Sequence, residues 1–370
     1  MSAAKDLSAT EQVVEKGGTV IPIRPTSTAS TGGLDGSNGG SSFKPVDIAE
    51  LYDEVESDIP WVLEGFLKMG GLTLLAGPPK LGKTTFAYHV LVSIAANKSF
   101  LGREVTQGTV LLLAVEEHRR DVIQRLLDCS DMNLSGLIRV EFGPLPFNDS
   151  VLKEMVLYIK REGVGLVVID TLPAWWRLTD ESDASEVIRK GMPLIEAIRE
   201  TEAAWLGLVH SRKGGGTNGE EIRGSSALLG LPDIAISMKR TEGGTRQRKL
   251  ETVSRYADTP SELVIELHED EYKVLGTPAE VSASAKAEKV WAVLTDGDQS
   301  TDEVIKKTGL SKQDISRGIG RLGNRVIRNG KGHKGDPYRY RRNSIPPTSE
   351  AIAETLDALN KSPEPLMSEQ

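Results

Sequence analysis

The sequence predicts an α/β fold with three layers around a mainly parallel sheet, followed by a small basic helical module. Three observations predict it. Short apolar runs at 72–76, 110–115, 166–169, 205–209 and 234–238 lack polar alternation, as strands buried on both faces do. Segments of helical spacing at 84–96, 118–129, 151–161 and 185–201 lie between them, so β and α elements alternate. A glycine-rich loop joins the first run to the first helical segment at 77–84. Later runs at 249–254, 263–267 and 271–275 read as antiparallel strands closing one edge.

The chain has 370 residues, enough for about two domains and tails. Residues 1–45, rich in Ser, Thr and Gly, are expected to be a disordered arm. The α/β domain is expected over 46–276, a linker over 277–285, the basic module over 286–343 and a tail over 344–370, with one helix at 348–360. A net charge of −8 excludes a surface that binds nucleic acid everywhere, but leaves room for a local basic patch. The single cysteine, Cys129, excludes an intramolecular disulfide and a multi-cysteine metal site. No run reaches the ~18 apolar residues of a membrane span, and no signal-peptide pattern precedes the domain. A cytoplasmic protein without membrane contact is expected.

Gly77-Pro78-Pro79-Lys80-Leu81-Gly82-Lys83-Thr84 matches G-x-x-x-x-G-K-[ST] at every fixed position, with Thr85 extending it. In such a P-loop, backbone N–H groups cradle phosphates and the helix that follows adds its positive end. Lys83 would neutralise the β- and γ-phosphates, and the Thr84 hydroxyl would ligate Mg²⁺. ATP and Mg²⁺ are therefore the expected ligands. The run 166–169 ends in Asp170, where a carboxylate at the sheet's carboxyl edge would reach the metal. Hydrolysis also needs a group that orients water. Thr171 rather than an acid follows Asp170, so the choice falls on Glu116, with Glu117 second, after the run 110–115.

That placement of the acids resembles the RecA-like ATPases rather than the AAA+ group. Further segments narrow the likeness: Trp61-Val-Leu-Glu-Gly, Gly108-Thr-Val-Leu-Leu-Leu-Ala-Val-Glu-Glu, Asp170-Thr-Leu, Leu208-Val-His-Ser-Arg-Lys213 and Arg223-Gly-Ser-Ser-Ala-Leu228. Over about 58–276 the order of motifs resembles the plasmid and phage RepA-type ATPases, relatives of DnaB-type hexameric replicative helicases. The resemblance implies a homo-hexamer around single-stranded DNA, with other replication proteins as further partners. It implies that His210 senses the γ-phosphate and that a loop carrying Lys213 and Arg223 faces DNA. It also implies that Arg240, or its neighbour Lys239, reaches a neighbouring subunit's ATP. Trp175 and Trp176 follow Asp170 in a loop that relatives direct at the channel, although packing is the simpler role for tandem Trp.

In the basic module, three short helices and a ribbon are expected. The first spans 286–294. Ser300-Thr-Asp-Glu303 is a capping box opening the second, which Gly309 stops. Ser311 caps the third, whose Ile315, Ile319 and Leu322 share one face, leaving Lys312, Gln313, Ser316, Arg317 and Arg321 outward. Strands at 326–328 and 338–340 flank a glycine-rich turn with Lys331 and Lys334. This resembles a winged helix-turn-helix. Between 317 and 342 nine Lys or Arg face one acid, Asp336, which points to duplex DNA as its partner. Two functions fit: a replicative helicase, or an ATP-dependent initiator, loader or DNA-binding regulator that does not unwind.

Overall fold

The computed structural model describes residues 46–48, 59–130, 134–180, 183–211, 228, 230–241 and 244–343. The expected arm at 1–45, the tail at 344–370 with its helix at 348–360, and the loop carrying Lys213 and Arg223 lie outside the described residues.

A nine-stranded sheet organises the larger part. After a small hairpin of β1 (Trp61–Leu63) and β2 (Leu67–Lys68), the strands are β3 (Leu72–Gly77), β4 (Thr109–Ala114), β5 (Ile138–Phe142), β6 (Val164–Asp170), β7 (Ala204–His210), β8 (Ile234–Thr241), β9 (Gly244–Ser254), β10 (Glu262–His268) and β11 (Glu271–Gly276). They lie in the order β11-β10-β9-β8-β3-β7-β6-β4-β5. Strands β3 to β8 run parallel, and β9, β10 and β11 extend the sheet antiparallel. Every residue of β3 is buried, as its uninterrupted Leu-Thr-Leu-Leu-Ala-Gly predicts for a central strand.

Helices cover both faces. On one lie α1 (Lys83–Ala96) and α2 (Arg119–Asp128); on the other lie α3 (Asp149–Glu162) and α5 (Ala184–Thr201), with the short α4 (Leu172–Trp176) after β6. Phe86, Leu91, Leu112 and Val168 belong to the first core, and Val167, Ile169, Trp205 and Leu194 to the second. Val167 and Val168 thus serve opposite cores, because successive strand side chains point to opposite faces. The result is a RecA-like P-loop fold: α/β, three layers, mainly parallel sheet.

The basic part comprises α6 (Pro278–Val293), β12 (Gln299–Ser300), α7 (Thr301–Thr308), α8 (Lys312–Leu322), β13 (Val326–Asn329) and β14 (Arg339–Arg342). The strands form a separate antiparallel sheet in the order β12-β14-β13. Its own core holds Val290, Leu294, Val304, Ile315, Ile319 and Leu322. One boundary differs from expectation. Residues 277–285 are not an extended linker but the cap and first turns of α6, which begins eight residues earlier than the helix expected at 286. Thr277 accepts from the Glu280 backbone N–H while the Glu280 carboxylate accepts from that of Thr277, a full capping box, and Pro278 occupies the first turn.

Candidate nucleotide site and basic module

Parallel strands bring their carboxyl ends to one edge, and there the expected residues meet. The loop 77–82 leaves β3, Glu116 and Glu117 follow β4, Asp170 ends β6 and His210 ends β7. The register places Gly77 beside His210 and Ala114 beside Asp170.

Left-handed backbone at Lys80 (φ 61°) and Gly82 (φ 103°) turns the loop into α1. A Cβ at Gly77 would stand 2.9 Å from the Met238 carbonyl oxygen of β8, so this position needs glycine for close approach rather than for torsional freedom. Lys83, only 6 % exposed, donates to the carbonyls of Gly77 at 2.9 Å and Pro78 at 3.1 Å. Its ammonium also stands 3.5 Å from His210 Nδ1. Burial lowers its pKa and the Asp170 charge partly offsets this. The lysine thus folds back on the loop, on carbonyls that phosphate oxygens could replace.

Asp170 is 6 % exposed, and burial is the main cause that pushes its carboxyl up to about 6. The Thr84 hydroxyl donates to it and opposes the rise, while Glu117 and Glu116 add to it. Its Oδ2 has no hydrogen-bond partner among the described residues, although a buried oxygen of this kind normally finds one. An orphaned carboxylate oxygen beside a threonine hydroxyl fits a divalent cation. Among the described residues no group of three or more His, Cys, Asp or Glu could hold a metal, so ligands beyond Thr84 and Asp170 would come from phosphate and water.

The two acids after β4 have different surroundings. Glu116, exposed, accepts from the Thr171 hydroxyl at 2.8 Å. Glu117 accepts from Tyr88 at 3.0 Å and pairs with Arg125 at 3.1 Å. Glu117 is therefore engaged on both oxygens, whereas Glu116 stands at the open edge beside Asp170.

Sequence reasoning did not find the residues lateral to the loop. A cavity of about 430 Å³ opens between Gly82 and Thr85 on one wall and Arg248, Glu269 and Tyr272 on the other. Arg248 donates through Nε to the Leu81 carbonyl at 2.8 Å, tying β9 to the loop. Tyr272 packs edge-on against Phe86 of α1 at 5.4 Å. Only the period-two alternation of β9 hinted that Arg246 and Arg248 share a face.

The structure places the remaining expected residues as follows. Arg240 is exposed near the end of β8, whereas Lys239 is paired with Glu251. Trp175 and Trp176 are fully buried, Trp175 with Phe147 edge-on at 4.9 Å, so they have a packing role and no free ring face for a base. In the basic part, Lys312, Arg317 and Arg321 are exposed on α8, and Lys331 and Lys334 are exposed on the turn after β13. Not all nine cations there are available. Arg325 and Arg342 stack on Trp291 at 4.4 and 4.9 Å, and Arg325 also pairs with Glu288.

Fold and site together have the form of a P-loop nucleotide-binding domain. Residues 41–216 match the AAA_25 family model, described as an AAA domain. That match includes the phosphate loop, Glu116, Asp170 and His210, and stops short of β8 to β11 and the basic module. No curated protein matches the chain. No helix among the described residues is long and apolar enough to cross a membrane.

Proposed function

We propose that the protein is an ATP-hydrolysing motor that acts on DNA, an oligomeric replicative helicase of the RepA type. The observation that carries the reading is the grouping of Lys83, Thr84, Asp170, Glu116 and His210 at one sheet edge, in a chain that also exposes cationic α8. The triphosphate lies on the loop with Lys83 on its β- and γ-oxygens, and the nucleoside enters the cavity beside Tyr272 and Arg248. A Mg²⁺ held by Thr84 and Asp170 would neutralise charge on the β- and γ-phosphates. Glu116 orients the attacking water and accepts its proton. The water oxygen bonds to the γ-phosphorus as the bond to the β,γ-bridging oxygen breaks, and that electron pair leaves with ADP. His210, adjacent to Lys83, reports whether the γ-phosphate is present. Arg240 acts on the nucleotide of a neighbouring copy.

Outward Lys312, Arg317 and Arg321 supply the charge with which α8 approaches duplex phosphates and bases. The exposed recognition face of α8 equally suits a second reading, an initiator, loader or regulator that finds a DNA site without unwinding. Strand separation on a tailed duplex, set beside sequence-specific binding of blunt duplex, tests one reading against the other.

A further inference from the structure

Thr171 stands where a hydroxyl usually serves its own helix. It is the N-cap of α4, and a threonine there normally accepts from a backbone N–H of the first turn. Here its side chain makes no such cap. The hydroxyl, on a residue only 6 % exposed, instead donates at 2.8 Å to Oε2 of Glu116, 55 residues away in the chain. Strand pairing brings the two together. The register sets Ala114 of β4 beside Asp170 of β6, and the Val115 N–H still donates to the Asp170 carbonyl at 3.1 Å. The ladder therefore ends one residue short of both groups.

Glu116 needs a restraint. It is exposed beyond the end of the ladder, and its charge repels that of Asp170, one of the causes that raise the Asp170 pKa. Glu117 is fixed by Tyr88 and Arg125, but Glu116 has Thr171 as its one hydrogen-bond partner among the described residues. With Oε2 taken by the hydroxyl, Oε1 is left to accept from water. A long acid at the surface samples several rotamers, and fixing one raises the share of time it spends in a reactive geometry. We propose that Thr171 is a positioning residue for hydrolysis, giving up the cap of α4 to hold Glu116 in the rotamer that orients water. Its part is played through Glu116 alone. The inference rests on Glu116 as the water-orienting acid and adds what holds that acid in place.

The test uses the full chain with ATP and Mg²⁺. Thr171→Val, which removes the donor and keeps the branched shape, should hold the affinity for a fluorescent ATP analogue within about twofold and lower kcat about tenfold. Thr171→Ser returns a hydroxyl to the same place and should recover most of the rate. Tyr88→Phe, the equivalent deletion on the Glu117 side, should lose far less. Thermal midpoints show whether each variant folds, and Thr171→Ala takes the place of valine if the added methyl is not accommodated. In the Glu116→Gln chain, Thr171→Val should cost less than about twofold more, because a residue that acts through another then has nothing to act on. A further loss of about tenfold in that background would overturn the proposal, since the threonine would then work by another route. A matching loss of nucleotide affinity, or a Thr171→Ser chain as slow as Thr171→Val, would overturn it too. If Thr171→Val turns over at the native rate while Glu116→Gln does not, the threonine's role is lost and that of Glu116 survives. If Glu116→Gln itself turns over normally, the reading of that acid falls and this inference falls with it.

Discussion

Burial keeps the Asp170 carboxyl near a pKa of about 6, against 3.8 for an ordinary aspartate. Between those values the folded chain binds a proton that the unfolded chain does not, so stability is lost as pH rises through that window. Without nucleotide or metal, Asp170→Asn should therefore be more stable than the native chain at pH 7, by up to about 2–3 kcal/mol. The gain should shrink toward pH 4, as thermal midpoints across pH would read. The same variant should lose Mg²⁺-dependent nucleotide binding, the benefit for which a buried, half-satisfied carboxylate is kept. The neighbouring acids allow a second comparison at this scale. Glu116→Gln should retain ATP binding and lose about 10²-fold or more in turnover. Glu117→Gln, which only weakens the Tyr88 and Arg125 contacts, should change turnover far less; the reverse order would assign the role to Glu117. Asp170 and Lys83 were legible in sequence because their motifs are local. Arg248 and Tyr272 were not, since only the folding of β9 and β11 against the loop brings them to it.

Elements were legible where one physical signal dominated. The continuous apolar runs became β3, β4, β6, β7 and β8, because a strand buried on both faces has no polar side to show. Edge strand β5 escaped, since Ile138-Arg-Val-Glu-Phe142 alternates and is half exposed. At the start of α6, Ala- and Ser-rich composition resembles a linker, although Thr277-Pro-Ala-Glu280 spells a helix start. A helix rather than a loose tether makes the junction between sheet and basic module stiff. At α8 the expected outward face is the exposed one, which sets up a prediction for that element. In the full chain, Arg317→Ala and Arg321→Ala should each weaken duplex binding by about 1–3 kcal/mol if they reach bases. Each should lower the salt slope by about one if they reach phosphates instead. Unchanged affinity and slope in both variants would move this face to protein contacts.

The whole molecule sets a phosphate cradle at one sheet edge and joins the sheet extension to a basic helical module through α6. Such an arrangement would link two events, nucleotide turnover and the proposed DNA engagement, through α6. Its overall plan was readable from motif order, but the joint between the parts was not, because it depends on where β9 to β11 and α6 come to rest. The measurement that tests the central claim most directly is ATP-driven strand separation by the full chain on a tailed duplex, with hydrolysis followed in the same samples. The proposed motor should hydrolyse ATP faster when single-stranded DNA is present and release the labelled strand, and Lys83→Ala should abolish both. Binding and hydrolysis of ATP at a rate indifferent to any DNA, with the duplex left intact, would contradict it.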